Sequence, residues 1–162
     1  MLSWLKGKKK ETVLRAPMSG TLVAMEAIPD HVFSARMLGD GFAVAPAEGR
    51  VVAPCRGRVT QFFPTHHALG LETPEGLEIL IHVGIDTVEL KGRGFTRHVA
   101  PGAAVEVGDL LLEVDLEVLR AAGKSAVTPV IITNMEKVGG LTIRPQAHLE
   151  AGSTPVAEII LK

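Results

Sequence analysis

The sequence predicts an all-β fold, an antiparallel sandwich or flattened barrel with an internal pseudo-repeat and one or two very short helices. Three observations carry this reading. Seventeen glycines and ten prolines cut the 162 residues into short pieces. Many of those pieces are rich in Val, Ile and Leu, which suits short strands better than βαβ units. A motif also recurs: Ala16-Pro17-Met18-Ser19-Gly20-Thr21-Leu22 and Ala53-Pro54-Cys55-Arg56-Gly57-Arg58-Val59 are offset by 37 residues. Gly39-Asp40 and Gly108-Asp109 repeat as turns between apolar runs, so a sheet built twice is the economical architecture.

The elements follow in chain order. Residues 1–12 differ from the rest, with Lys6, Lys8, Lys9 and Lys10 following Leu2, Trp4 and Leu5. They read as a flexible basic arm, either a solvated tail or an amphipathic foot that meets an anionic membrane through residues 1–10. The folded domain is predicted over 13–162. The piece from Ile28 to Arg36 allows one turn of helix. Asp115 can cap a helix of about two turns that Gly123 ends. Between them, the run from His67 to Asp86 has the form of a β-hairpin around Thr73-Pro74-Glu75-Gly76.

Composition narrows the function. A hydrophobic content of 46% with 22% charged residues is ordinary for one soluble domain. A formal net charge of −1 gives no general reason to expect nucleic acid as partner. One cysteine, Cys55, excludes an internal disulfide, and no apolar leader with a cleavage site is present, so the chain reads as cytoplasmic. Cys55 lies in a turn with no neighbouring histidine or second cysteine, which makes it structural.

The informative residues are two histidines. His82 interrupts the apolar run Ile79-Leu80-Ile81-His82-Val83, and His67 precedes it by fifteen residues. A two-residue turn centred between Pro74 and Glu75 would set His67 opposite His82, with Cβ atoms roughly 5 Å apart. A three-residue loop closed by Gly76 in the left-handed region would instead set His67 opposite Val83. Both registers fit the sequence. Two imidazoles on one face could hold zinc weakly, through His67 and His82. A catalytic zinc needs a third protein ligand, and no HxxxD or HxH string surrounds either histidine, which argues against a LytM-type metallopeptidase. A lipoyl or biotinyl carrier needs a lysine in Asp-Lys-Ala or Met-Lys-Met, and neither string occurs. Nothing matches GxxxxGK[ST], so ATP is not the expected phosphoryl donor.

The segment His82-Val83-Gly84-Ile85-Asp86-Thr87-Val88-Glu89-Leu90-Lys91-Gly92 resembles the phosphorylation-site signature of the glucose-type EIIA component of the bacterial phosphoenolpyruvate-dependent sugar phosphotransferase system. Ala16-Pro17-Met18-Ser19-Gly20, Gly39-Asp40-Gly41-Phe42-Ala43, Thr65-His66-His67-Ala68 and Thr128-Pro129-Val130-Ile131-Ile132-Thr133-Asn134-Met135 are similar to further pieces of that family, in the same order. The resemblance implies an antiparallel sandwich and a phosphotransferase that carries phosphate on His82 without a required cofactor. It places a phosphoryl-stabilising histidine at His67 and a threonine that orients it at Thr65. His66 has no such role, and strand parity sets it on the opposite face from His67.

By the same resemblance the donor is the small phosphocarrier HPr, and the acceptor is a cysteine of a sugar-specific EIIB domain. The sugar itself is not specified. One ring nitrogen of His82 should attack while a backbone carbonyl holds the other, and Gly84 suits close backbone approach. A surface that serves two protein partners should be apolar with a charged rim. Val32, Phe33, Leu38, Phe63, Leu80 and Val88 are candidates for the patch, with Asp30 and Asp86 as carboxylates for arginines on HPr. The expected location is the cytoplasm, with transient contact at the inner face of the membrane.

Overall fold

The computed structural model describes residues 10–162. Numbered along the chain, the strands are β1 (Glu11–Arg15), β2 (Gly20–Val23), β3 (Asp40–Pro46), β4 (Arg50–Val52), β5 (Gly57–Phe62), β6 (Ala68–Glu72) and β7 (Glu78–His82). They continue with β8 (Phe95–Arg97), β9 (Ala104–Val105), β10 (Leu110–Val114), β11 (Thr128–Ile132), β12 (Val138–Ile143), β13 (His148–Leu149) and β14 (Pro155–Leu161). Every strand pairing is antiparallel. The strands form a large sheet in the order β13-β2-β3-β11-β7-β6-β5-β9 and two three-stranded sheets, β1-β14-β12 and β4-β10-β8. The all-β sandwich is therefore the architecture. β1 opens at Glu11, two residues ahead of the expected domain start, because Thr12 pairs with Ile159 and is buried. The proposed membrane foot falls mainly on residues 1–9 and lies outside the described residues.

The motif repeat has a structural meaning. Gly20 opens β2 and Gly57 opens β5, each the second strand from one end of the large sheet. Each glycine pairs with a two-residue edge strand, Gly20 with Leu149 and Gly57 with Val105. The sheet is thus built twice about the β11–β7 seam. The two Gly-Asp pairs do not share this relation: Asp40 begins β3 of the large sheet, whereas Asp109 precedes β10 of a small one.

The large sheet is covered on both faces, and the two faces bury different clusters. In β11, Val130 and Ile132 enter the main core while Ile131 points into a smaller cluster with Met25, Ile28, Phe33, Ala43 and Ile85. In β7, Ile79 and Ile81 go to the main core and Leu80 packs on the smaller one. Alternation along a strand then puts His82 on the Leu80 face.

Two short helices complete the fold. α1 (His31–Ser34) is started by Asp30, whose carboxylate accepts from the Val32 amide at 2.8 Å. Arg36 follows in the left-handed region, with φ of 58°, and its guanidinium reaches Glu26 and Asp40, closing the excursion that carries Phe33 onto the sheet. α2 (Leu116–Ala121) is capped by Asp115 and followed by Gly123 at φ of 70°, as the sequence predicts.

Candidate functional site

The hairpin register decides how the histidines meet. Ala68 pairs with His82, Leu71 with Ile79 and Glu72 with Glu78, so the three-residue loop is the one adopted. Gly76 takes φ of 92° and its amide donates to the Thr73 carbonyl, while the Thr73 hydroxyl accepts from Leu77. His67 therefore lies opposite Val83, whose amide donates to the His67 carbonyl at 2.7 Å. Of the two registers that fit the sequence this is the one adopted, because Gly76 can occupy the left-handed region and so closes the longer loop.

Strict alternation would then send His67 to the wrong face. It does not, because β6 begins only at Ala68 and residues 64–67 form a turn. His66 has φ of 60° within that turn. The His67 ring swings onto the His82 ring, with centroids 4.9 Å apart and planes at 79°. His66 packs instead edge-on against Phe62 at 6.1 Å. The two neighbouring histidines do part, through turn geometry and not through strand parity.

Each ring also packs against a phenylalanine. Phe63 stands edge-on to His67 at 5.5 Å, and Phe33 lies against His82 at 5.1 Å. The Thr65 hydroxyl contacts Nδ1 of His67. Nδ1 of His82 lies 2.7 Å from the Gly84 carbonyl. A carbonyl only accepts, so Nδ1 carries the proton and Nε2 is left with its lone pair. His82 is half-buried, whereas His67 is only 3% exposed. Burial first, and the His82 charge second, push the His67 imidazole down from 6.5 to about 4. Burial also lowers His82, opposed by the Gly84 carbonyl and by the carboxylates of Asp30 and Asp86. Both rings are neutral near pH 7.

Beyond His82 the chain leaves the sheet through Gly84 at φ of 78° and Asp86 at φ of 58°. A Cβ on Gly84 would come within 2.5 Å of Thr87 Cγ2 and 2.9 Å of the Ser125 carbonyl. Asp86 is thus placed by a turn; it is exposed and close enough for its charge to bear on His82.

The nominated partner patch divides. Val32, Leu38 and Val88 are 40%, 44% and 53% exposed, while Phe63 and Leu80 are half-buried. Phe33 is corrected: at 5% exposure it belongs to the smaller core beneath His82 and cannot meet a partner directly. Asp30 spends one carboxylate oxygen on its helix cap. Sequence reasoning missed Met37, which is 65% exposed beside Leu38, and it missed Thr87, which is fully buried. A groove between Leu22, Met25, Arg36, Phe42, Leu141 and Ile143 contains neither histidine.

Among the described residues no group of three or more His, Cys, Asp or Glu comes together as a metal site. Cys55 is buried in the main core, and burial with the nearby Glu75 charge pushes its thiol up to about 12. No described helix is long and apolar enough to cross a membrane.

Known proteins place this arrangement in a class. Residues 12–138 match the model of the family described as phosphoenolpyruvate-dependent sugar phosphotransferase system, EIIA 1, and the chain belongs to that family, the glucose-type EIIA phosphocarriers. Among its relatives is a glucose-specific EIIA component of Halalkalibacterium halodurans, 45% identical over 93% of this chain and 87% of that protein. The N-acetylglucosamine-specific EIICBA component of Escherichia coli is 44% identical over 90% of this chain, which spans 22% of that longer protein. The solved structure of glucose permease IIA from Mycoplasma capricolum superposes with a TM-score of 0.82 at 38% identity, covering 92% of this chain and 96% of that one.

Proposed function

We propose that this chain accepts a phosphoryl group from phospho-HPr on Nε2 of His82 and delivers it to a cysteine of a sugar-specific EIIB domain, in the cytoplasm, during sugar uptake. The observation that carries the reading is the bond from His82 Nδ1–H to the Gly84 carbonyl, which leaves Nε2 unprotonated beside a second imidazole. The E. coli relative supports an EIIB acceptor, since its name joins EIIA to EIIC and EIIB on one chain.

The chemistry needs no cofactor. In the first transfer the Nε2 lone pair forms a new P–N bond while the donor's P–N bond breaks and its electron pair returns to the donor imidazole. In the second, a thiolate forms a P–S bond and the electron pair of the breaking P–N bond returns to His82. Phosphoryl transfer is loose and in line, so the protein's part is to position groups and to stabilise the three oxygens. With the Thr65 hydroxyl donating to Nδ1 of His67, the Nε2–H of His67 is free to donate to a phosphoryl oxygen. A fixed, neutral donor costs no reorganisation when charge develops.

Partner docking falls on the surface around the rings. Val32, Leu38 and Val88 supply exposed apolar contact, Phe63 and Leu80 a half-buried margin, and Asp30 and Asp86 negative charge for basic side chains on HPr. The test is incubation of the full chain with phosphoenolpyruvate, enzyme I and HPr, followed by mass spectrometry of peptides kept at alkaline pH. An acid-labile phosphate on His82 is the expected product. Phosphate on another residue, or none, overturns the reading.

A further inference from the structure

We infer that Thr87 is a positioning residue for His82: its hydroxyl holds the Val83 carbonyl and thereby aims the Gly84 carbonyl that selects the reactive tautomer. The inference rests on the reading that His82 takes the phosphate.

β7 ends at His82, so the ladder no longer fixes the peptides that follow. The imidazole orientation nevertheless depends on one of them, because the acceptor for Nδ1–H is the carbonyl two residues on, at 2.7 Å. A rotation of the 84–85 peptide would remove that acceptor. Three bonds resist it. The Val83 amide donates to the His67 carbonyl at 2.7 Å, the Ile85 amide donates to the Ser125 carbonyl at 3.0 Å, and the Thr87 hydroxyl donates to the Val83 carbonyl at 2.6 Å. Two are backbone to backbone. The third is the one that a side chain makes.

Thr87 is suited to this in two ways. It is 0% exposed, as is Val83, so neither the hydroxyl nor the carbonyl has water as an alternative partner. Its methyl group occupies the space beside Gly84 where a Cβ would come within 2.5 Å, so it also buttresses the Gly84 backbone. The residues that set its height are themselves constrained: Asp86 and Lys91 take left-handed conformations on either side of the single 3-10 turn Thr87–Leu90. With the hydroxyl gone, the Val83 carbonyl is buried without a partner, and the cheapest relief is to rotate the peptide that leads into Gly84.

The decisive variants are Thr87→Val, which keeps the shape and removes the donor, and Thr87→Ser, which keeps the donor. Ring nitrogens of His82 are followed by ¹⁵N NMR on the unphosphorylated full chain, and phosphorylation by phospho-HPr is followed in parallel. In Thr87→Val the His82 signals should move from one Nδ1–H tautomer to a mixture. The maximal rate should fall about tenfold, as for loss of one buried hydrogen bond, with the half-saturating HPr concentration unchanged. Thr87→Ser should restore both. If Thr87→Val does not fold, Thr87→Ala serves in its place and should show the same mixture. An unmixed Nδ1–H tautomer in the variant without the hydroxyl, or failure of Thr87→Ser to restore it, overturns the inference. If the wild-type chain is never phosphorylated on His82, the carrier reading fails, and the NMR comparison still decides the part played by Thr87.

Discussion

The Val83 amide donates to the His67 carbonyl across 2.7 Å, so the backbone of one candidate site residue is clamped to the residue that follows the other. The two imidazoles, 4.9 Å apart, are therefore neighbours by backbone hydrogen bonding as well as by packing. Their chemical tasks can still be separated. In the proposed carrier reaction His82 supplies the nucleophile and His67 donates to phosphoryl oxygens. His67→Gln keeps an N–H donor but loses the Thr65-fixed geometry. It should accept phosphate from phospho-HPr at a rate within about threefold of wild type, while transfer onward to EIIB falls by about 100-fold, the usual cost of one misplaced oxyanion donor. Single-turnover transfer in each direction measures both numbers, and normal delivery by the variant would refute the division of labour.

The buried His67 makes a pH prediction. Its folded value of about 4 lies below the ordinary 6.5, so between those values the unfolded chain binds a proton that the folded chain does not. Stability from this group is complete above pH 6.5 and is lost as pH falls toward 4. The whole loss is about 3.5 kcal/mol at most, since each pKa unit is worth about 1.4 kcal/mol. Urea unfolding at pH 7.5, 5.5 and 4.5 should show the decline in wild type. His67→Gln should flatten it, and equal slopes in the two proteins would show that the acid sensitivity arises elsewhere.

Much of this was legible in the sequence because glycine, proline and aspartate carry local instructions. Asp115 and Gly123 bound α2 where they stand in the chain, and the 37-residue motif offset marks equivalent places in a sheet built twice. The hairpin was legible only to within one residue. Its register rests on whether Gly76 enters the left-handed region, a difference that glycine itself makes cheap. Strand alternation stops short of Asp86 and His66 for one reason: each lies just beyond a strand end, where a positive φ redirects the chain. Phe33 was misplaced because a short helix after Asp30 turns it down onto Ile85 and Ile131, a long-range contact that no local pattern encodes.

That burial distinguishes two residues that look alike in the sequence. Phe33 is 5% exposed and lies against the His82 ring, whereas Val88 is 53% exposed. Phe33→Ala should lower stability by about 3 kcal/mol, as for other buried aromatic truncations, with the phosphorylation rate falling because His82 loses its backing. Val88→Ala should change stability by less than about 0.5 kcal/mol and should weaken HPr and EIIB association instead. Thermal unfolding and a titration of phospho-HPr separate the two outcomes. A stable Phe33→Ala protein with weakened partner binding alone would return Phe33 to the docking surface.

Gly84 joins the backbone turn to the proposed chemistry of His82. Its φ of 78° lies in the region that disfavours side chains, and an added Cβ would press on Thr87 Cγ2 at 2.5 Å and on the Ser125 carbonyl at 2.9 Å. Neither obstacle is free to yield, since Thr87 is fully buried and the Ser125 carbonyl is engaged by the Ile85 amide. Gly84→Ala should therefore cost about 2–3 kcal/mol from overpacking and left-handed strain together. It should also displace the carbonyl that holds His82 Nδ1, so phosphoryl acceptance should fall more than stability alone explains. Measuring the rate at a temperature where the variant is fully folded isolates the second effect, and a wild-type rate there would show that the Gly84 carbonyl does not set the His82 tautomer.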